Sequence, residues 1–141
     1  MPPRQSDPLP YPAAGEEQPA YESWGRTEVG QASFWRPEPS VETEAPLEVH
    51  AEVSLYRDAK GAQQAFQYWA RLMKTAGTPE TVGVTADAVS AYGVSDGPFR
   101  FRIIHLRKAN GLARVLVTGV AGDGSDRAAA SLARLMAERM Q

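Results

Sequence analysis

A chain of 141 residues, 43% apolar and 23% charged, has the size and make-up of one globular domain, enough to bury about two thirds of its unfolded surface. It has no cysteine, which excludes disulfides, thiolate metal sites and a cysteine nucleophile. The net charge of −2 hides an uneven split: residues 1–58 are strongly acidic and residues 59–141 mildly basic, too mildly to indicate nucleic acid.

Nine of the eleven prolines fall within residues 1–46. At that density helix is blocked and sheet donors are lost, so residues 1–20 read as an extended or disordered proline-rich arm. Pro8-Leu9-Pro10-Tyr11-Pro12 has the composition of a ligand for an aromatic groove, but such short motifs are common and a plain tether is the favoured reading. The first residues lack an apolar core of the secretory type, and no stretch approaches 18 uncharged apolar residues, so neither a signal peptide nor a membrane span is expected here.

Residues 21–141 read as a single domain. Tyr21, Trp24, Phe34 and Trp35 arrive close together, which places Trp24 against the domain and a first short strand at Gln31–Arg36. An acidic loop, 37–46, follows. Leu47–Tyr56 alternates strictly: Leu47, Val49, Ala51, Val53 and Leu55 against Glu48, His50, Glu52, Ser54 and Tyr56. Period two predicts a strand with the apolar row buried and the polar row, His50 included, wet.

Asp58 is placed to cap a helix whose apolar stripe is Ala62, Ala65, Phe66, Trp69 and Met73. Gly77 is expected to close that helix in the left-handed conformation, and Pro79 to prevent its restart. Residues 81–94 suggest one or two weaker strands. Asp96-Gly97 marks a turn, and Asn110-Gly111 marks a hairpin between Phe99–Leu106 and Leu112–Val120. A strict two-residue turn at Asn110-Gly111 sets Arg107 opposite Arg114, so a longer or bulged loop competes with it. The last helix spans Asp126–Met140, with Ser125 as its cap and Ala128, Leu132, Leu135, Met136 and Met140 as its apolar face. The fold class that follows is α+β: a twisted, mainly antiparallel sheet with two helices packed on it, preceded by the arm.

Several chemical motifs fail on inspection. Gly119 and Gly124 have the spacing of a phosphate loop, but its lysine is missing and Asp123 and Asp126 repel phosphate. Asp123-Gly-Ser-Asp126 lacks the further bidentate Glu that a calcium loop needs. His50 and His105 belong to no zinc or triad motif. No catalytic residue, metal ligand or cofactor-binding residue is assigned, and no cofactor is expected. An enzyme built from Asp87, His105 and nearby arginines has nothing in the sequence to link its parts.

A basic group on the hairpin remains: Arg100, Arg102, Arg107 and Arg114, with Tyr92 nearby. Phe99 and Phe101 alternate with Arg100 and Arg102, so rings turned into the core leave guanidinium groups outside. These five residues are the candidate binding set. Their expected partners are carboxylates, from Glu38, Glu42 and Glu44 or from an acidic protein, rather than nucleic acid.

The run Val53–Trp69, in which Tyr56, Asp58, Ala59 and Ala62 are followed by Phe66 and Trp69, and the closing SLARLMAERM resemble small bacterial extracytoplasmic α/β modules. These are lipoprotein-like and kinase-sensor domains and the PsbP-like sandwich. The resemblance covers about residues 20–140 and rests on element order. It implies an extracytoplasmic, non-enzymatic binding or accessory domain that engages a protein partner or a small ligand. The alternative is a subunit of a larger assembly held through the arm.

Overall fold

The computed structural model describes residues 20–35, 48–120 and 125–140. The arm at 1–19, the acidic loop with Glu38, Glu42 and Glu44, and the glycine-rich link at 121–124 lie outside the described residues. Six strands and two helices follow in order: β1 (Arg26–Trp35), β2 (Glu48–Tyr56), α1 (Ala59–Ala76), β3 (Thr78–Pro79), β4 (Ala88–Asp96), β5 (Phe99–Lys108), β6 (Gly111–Val120) and α2 (Ser125–Arg139). All pairings are antiparallel, and the sheet order is β1-β2-β6-β5-β4-β3. This is the α+β fold read from the sequence.

The two helices lie on opposite faces. Residues of α1 pack with Tyr56, Leu112, Ile103, Leu116 and Tyr92. Residues of α2 pack with Ala91, Ile104, Leu106, Ala113, Val115 and Val117, which alternate with that set along the same strands. The middle strand β6 therefore needs apolar side chains on both faces, and its run from Leu112 to Val117 supplies them.

Asp58 caps α1 as read: its carboxylate accepts from the Gly61 amide at 2.8 Å. Gly77 does not close α1 in the left-handed form. Its φ is −148°, an extended backbone, because the chain turns straight into β3. Gly61 answers a different need, since a Cβ there would overlap the Trp24 carbonyl. Gly61→Ala gains about 1 kcal/mol of helix propensity but meets that carbonyl. The expected result is a net loss of about 1–3 kcal/mol, read as a lower urea midpoint. A midpoint at or above wild type would show that the turn yields freely.

The β5–β6 turn is a two-residue loop at Ala109-Asn110, not at Asn110-Gly111, with Lys108 opposite Gly111. Ala109 takes the strained position, φ 52°. The register this sets pairs Arg107 with Leu112 and Arg114 with His105, so the arginine–arginine clash never arises. The weak-strand region resolves into β4 and a strap at 80–87 that lies over the α2 face. Val82, Val84 and Ala86 of the strap turn inward, while Thr81, Gly83 and Thr85 stay exposed.

The first strand is longer than its expected Gln31–Arg36 and begins at Arg26. In α2 the buried line is Ala129, Ala133 and Ala137. Leu132, Met136 and Met140 take one flank, and Leu135 is 45% exposed. Alanines let that helix sit close to the sheet. In β2 the expected facing is reversed: His50, Glu52, Ser54 and Tyr56 are buried, while Val49, Ala51 and Val53 are half-buried and Leu55 is exposed. The polar row lies on the α1 face. The apolar row lies at the margin of the α2 face: Val49 and Val53 pack against the rim of that cluster, while α2 itself rests mainly on β5 and β6.

Candidate functional site

Sheet register assembles a polar row beneath α1. Glu52 of β2 pairs with Arg114 of β6, which pairs with His105 of β5, which pairs with Ser90 of β4. All four side chains are buried. Trp69 of α1 closes over the row, with the Arg114 guanidinium 3.7 Å from its ring centre and the His105 ring stacked on it at 5.7 Å and 12°. A cation desolvated against an indole face is well compensated, which is how an arginine survives in the middle of β6.

Arg114 Nε donates to His105 Nε2 over 3.1 Å, and Arg114 Nη1 lies 3.7 Å from Glu52 Oε1. Because the arginine can only donate, His105 Nε2 must carry a lone pair and its proton sits on Nδ1. Burial, then the Arg114 charge, holds the His105 pKa well below its ordinary value. One row away Ser33 Oγ lies 2.5 Å from His50 Nδ1, and burial lowers the His50 pKa as well. Tyr56, at the end of β2, is pushed up to about 12 chiefly by burial. An aromatic chain seals this end: Tyr21 meets Trp24 edge-on, Trp24 meets Tyr68, and Tyr68 meets Trp69. Arg26 lies 3.7 Å over the Tyr21 ring.

Both histidines are thus neutral in the fold, whereas in the unfolded chain they take up a proton near pH 6.5. The unfolded state binds more protons below that point. The stability these groups supply is complete above about pH 6.5 and is lost as the pH falls from there toward their folded values, by up to about 1.4 kcal/mol per pH unit for each histidine. Urea midpoints at pH 7.5, 6.5 and 5.5 should fall between the last two. A midpoint that does not change across the series would show the rings to be solvated.

On the opposite face, a recess of about 170 Å³ opens between the strap and α2, lined by Glu80, Val82, Tyr92, Arg102, Ile104 and Ala129, among others. Arg102 is ion-paired with Glu80 at this recess. Further along the strap, a shallower recess of about 300 Å³ is lined by Lys108, Arg134 and Glu138.

The structure does not bring the five candidate residues together. Arg102 lines the first recess, and Tyr92 borders it but packs its side chain with Met73, Ile103 and Leu116 on the α1 face. Arg100 alternates with the half-buried Phe101 and lies on the face of Arg102. Arg107 reaches Asp87 at 3.7 Å and the Ala109 carbonyl at 3.3 Å. Arg114 is buried under Trp69 on the other face. Among the described residues these arginines do not form one solvated row, because α1 packs on one face of β5 and α2 on the other along most of its length. Phe99, expected in the core, is 42% exposed at the end of its strand, beyond the helix. His50, expected wet, is buried against Ser33.

Sequence reading passed over Ser33, Glu52 and Glu80. The signal for the first two was Arg114 itself. A charge inside a run that is apolar on both faces must be buried, and a buried charge needs partners on neighbouring strands.

Neither a family model nor a curated protein matches this sequence. Among solved structures the fold is similar to the extracellular domain of PknH from Mycobacterium tuberculosis, with a TM-score of 0.57 over 89% of this chain and 71% of that one. The identity is 13%, so the likeness is one of fold. That fold is used by an extracellular domain of a kinase, one of the several kinds of module that the order of elements resembles.

Proposed function

We propose that this chain is a non-enzymatic, extracytoplasmic binding module of the kinase-sensor type, and that its ligand contacts the recess between the strap and α2. The recess carries the reading. It has an apolar floor of Val82, Ile104 and Ala129 and one charged pair, Arg102 and Glu80. An apolar hollow with few polar groups is the usual chemistry of a binding site. Its volume is close to the roughly 150 Å³ of a cavity that takes up benzene, so the ligand inserts one small apolar group and offers a charged group to the pair. The PknH extracellular domain supports the setting through its fold.

The Ser33–His50 pair, one row away from Arg114, supports the non-enzymatic reading. Ser33 and His50 resemble two members of a hydrolytic triad, but both are buried, and His50 Nε2 has no partner among the described residues. A triad needs an accessible hydroxyl and a carboxylate on the far ring nitrogen. A fluorophosphonate probe should leave Ser33 unlabelled, and labelling above that of Ser33→Ala would overturn the non-enzymatic reading.

The binding reading is tested with small apolar carboxylates and amines as probes, followed by amide chemical shifts. Shifts should cluster at Val82, Gly83, Ile104 and Ala129, and binding should weaken with salt. In the double variant Arg100→Gln, Arg102→Gln, affinity and salt dependence should both fall. Shifts that map elsewhere, or binding untouched by the double variant, would refute the recess as the site.

A further inference from the structure

The two edges of the sheet are built differently. The β3 edge is two residues long and ends in Pro79, the kind of edge that resists pairing. The β1 edge is ten residues long, and β2 is its one partner among the described strands. Between Glu28 and Phe34 it holds no proline and no lysine, and its irregularity is confined to the Arg26–Glu28 end. Its residues from Thr27 to Ala32 are exposed, Val29 is 48% exposed and Phe34 51%.

Among the described residues, the face beside this edge is only partly covered. Gly30, Ala32 and Phe34 of β1 adjoin Val53, Ala51 and Val49 of β2 on the α2 side. Val49 and Val53 lean on the rim of the α2 cluster while Gly30, Ala32 and Phe34 stay exposed, so a half-covered apolar shelf runs to the sheet edge. An open backbone edge beside an apolar shelf is a template for another strand.

We propose that β1 pairs antiparallel with β1 of a second copy of this chain, about a twofold axis near Gln31. An antiparallel edge is its own hydrogen-bonding complement, so a twofold contact requires no second kind of surface. That axis stands normal to the sheet and keeps like faces on the same side. The two shelves then join, and the small side chains of Gly30 and Ala32 let the strands close to the usual spacing of about 4.8 Å. The pairing gives one twelve-stranded sheet and shields Phe34 and Val29 beside the second copy.

The absence of cysteine makes the test clean. The whole chain is sedimented over a concentration series, and single cysteines are placed at Gly30, Gln31 and Ala32, with the exposed Gln64 of α1 as control. Dimerisation is expected, with one of the three β1 positions cross-linking fastest under mild oxidation. Ala32→Lys, which sets like charges near each other across the axis, should weaken the dimer by about fivefold or more without lowering the thermal midpoint. A monomer up to about 1 mM overturns the pairing and leaves the edge to a strand from a different chain. A dimer whose β1 cysteines cross-link no faster than the one at Gln64 overturns it as well.

Discussion

Trp69→Ala is expected to lower the free energy of unfolding by about 3–5 kcal/mol, enough to leave a domain of this size marginal. The indole is buried at the centre of α1 and does three things. It fills the space between helix and sheet, it gives the Arg114 guanidinium a face at 3.7 Å, and it stacks on His105. Truncation leaves a cavity bordered by a cation and a neutral histidine, a place that water will enter. Urea unfolding measures the loss. Trp69→Phe keeps a ring under Arg114 and should recover more than half of it. If Trp69→Ala unfolds at the wild-type midpoint, the packing of α1 on the sheet is wrong.

Arg114→Met is expected to cost about 3 kcal/mol at neutral pH, near the lower end for breaking a buried pair. Methionine matches the length of the side chain and can lie against Trp69, so little packing is lost. What is lost is the cation. Glu52 keeps a buried carboxylate with no arginine beside it, and His105 Nε2 loses its donor. The variant also changes the response to acid. The Arg114 charge helps to hold His105 neutral, so its removal lets that ring protonate at a higher pH. The loss of stability between pH 6.5 and 5.5 should therefore be shallower in Arg114→Met than in wild type. The double variant Glu52→Gln, Arg114→Met should recover part of the cost, since the stranded charge is gone. Equal stability of wild type and Arg114→Met at pH 7 would show that the pair is solvated.

The sequence by itself determined the order of elements, the α+β class, the cap at Asp58, the anchor at Trp69, the turn at Asp96-Gly97 and, to within one residue, the β5–β6 hairpin, because each rests on residues close in the chain. Period two in Leu47–Tyr56 identified a strand, and period 3.6 from Ala62 to Met73 identified a helix stripe. Neither period says which neighbour arrives on which side. Tertiary structure decided that α1 and α2 take opposite faces, and every error of facing follows from it. The polar row of β2 is buried because α1 brings Trp69 over it and β6 brings Arg114 beside Glu52. The apolar row is left half-open because α2, with its alanine face, settles on β5 and β6.

The candidate site divides in the same way. Arg102 and Tyr92 could be named from the hairpin and its neighbouring strand, but Glu80 comes from a strap whose only signals were Pro79 before it and alternating valines within it. Arg114 could be named, though not its surroundings, since the row Glu52–Arg114–His105–Ser90 draws on four strands that only the register brings level. Spacing along the chain fixes which side chains share a strand face. The free energy of covering that face depends on elements tens of residues away, and their placement is a property of the whole packed sheet.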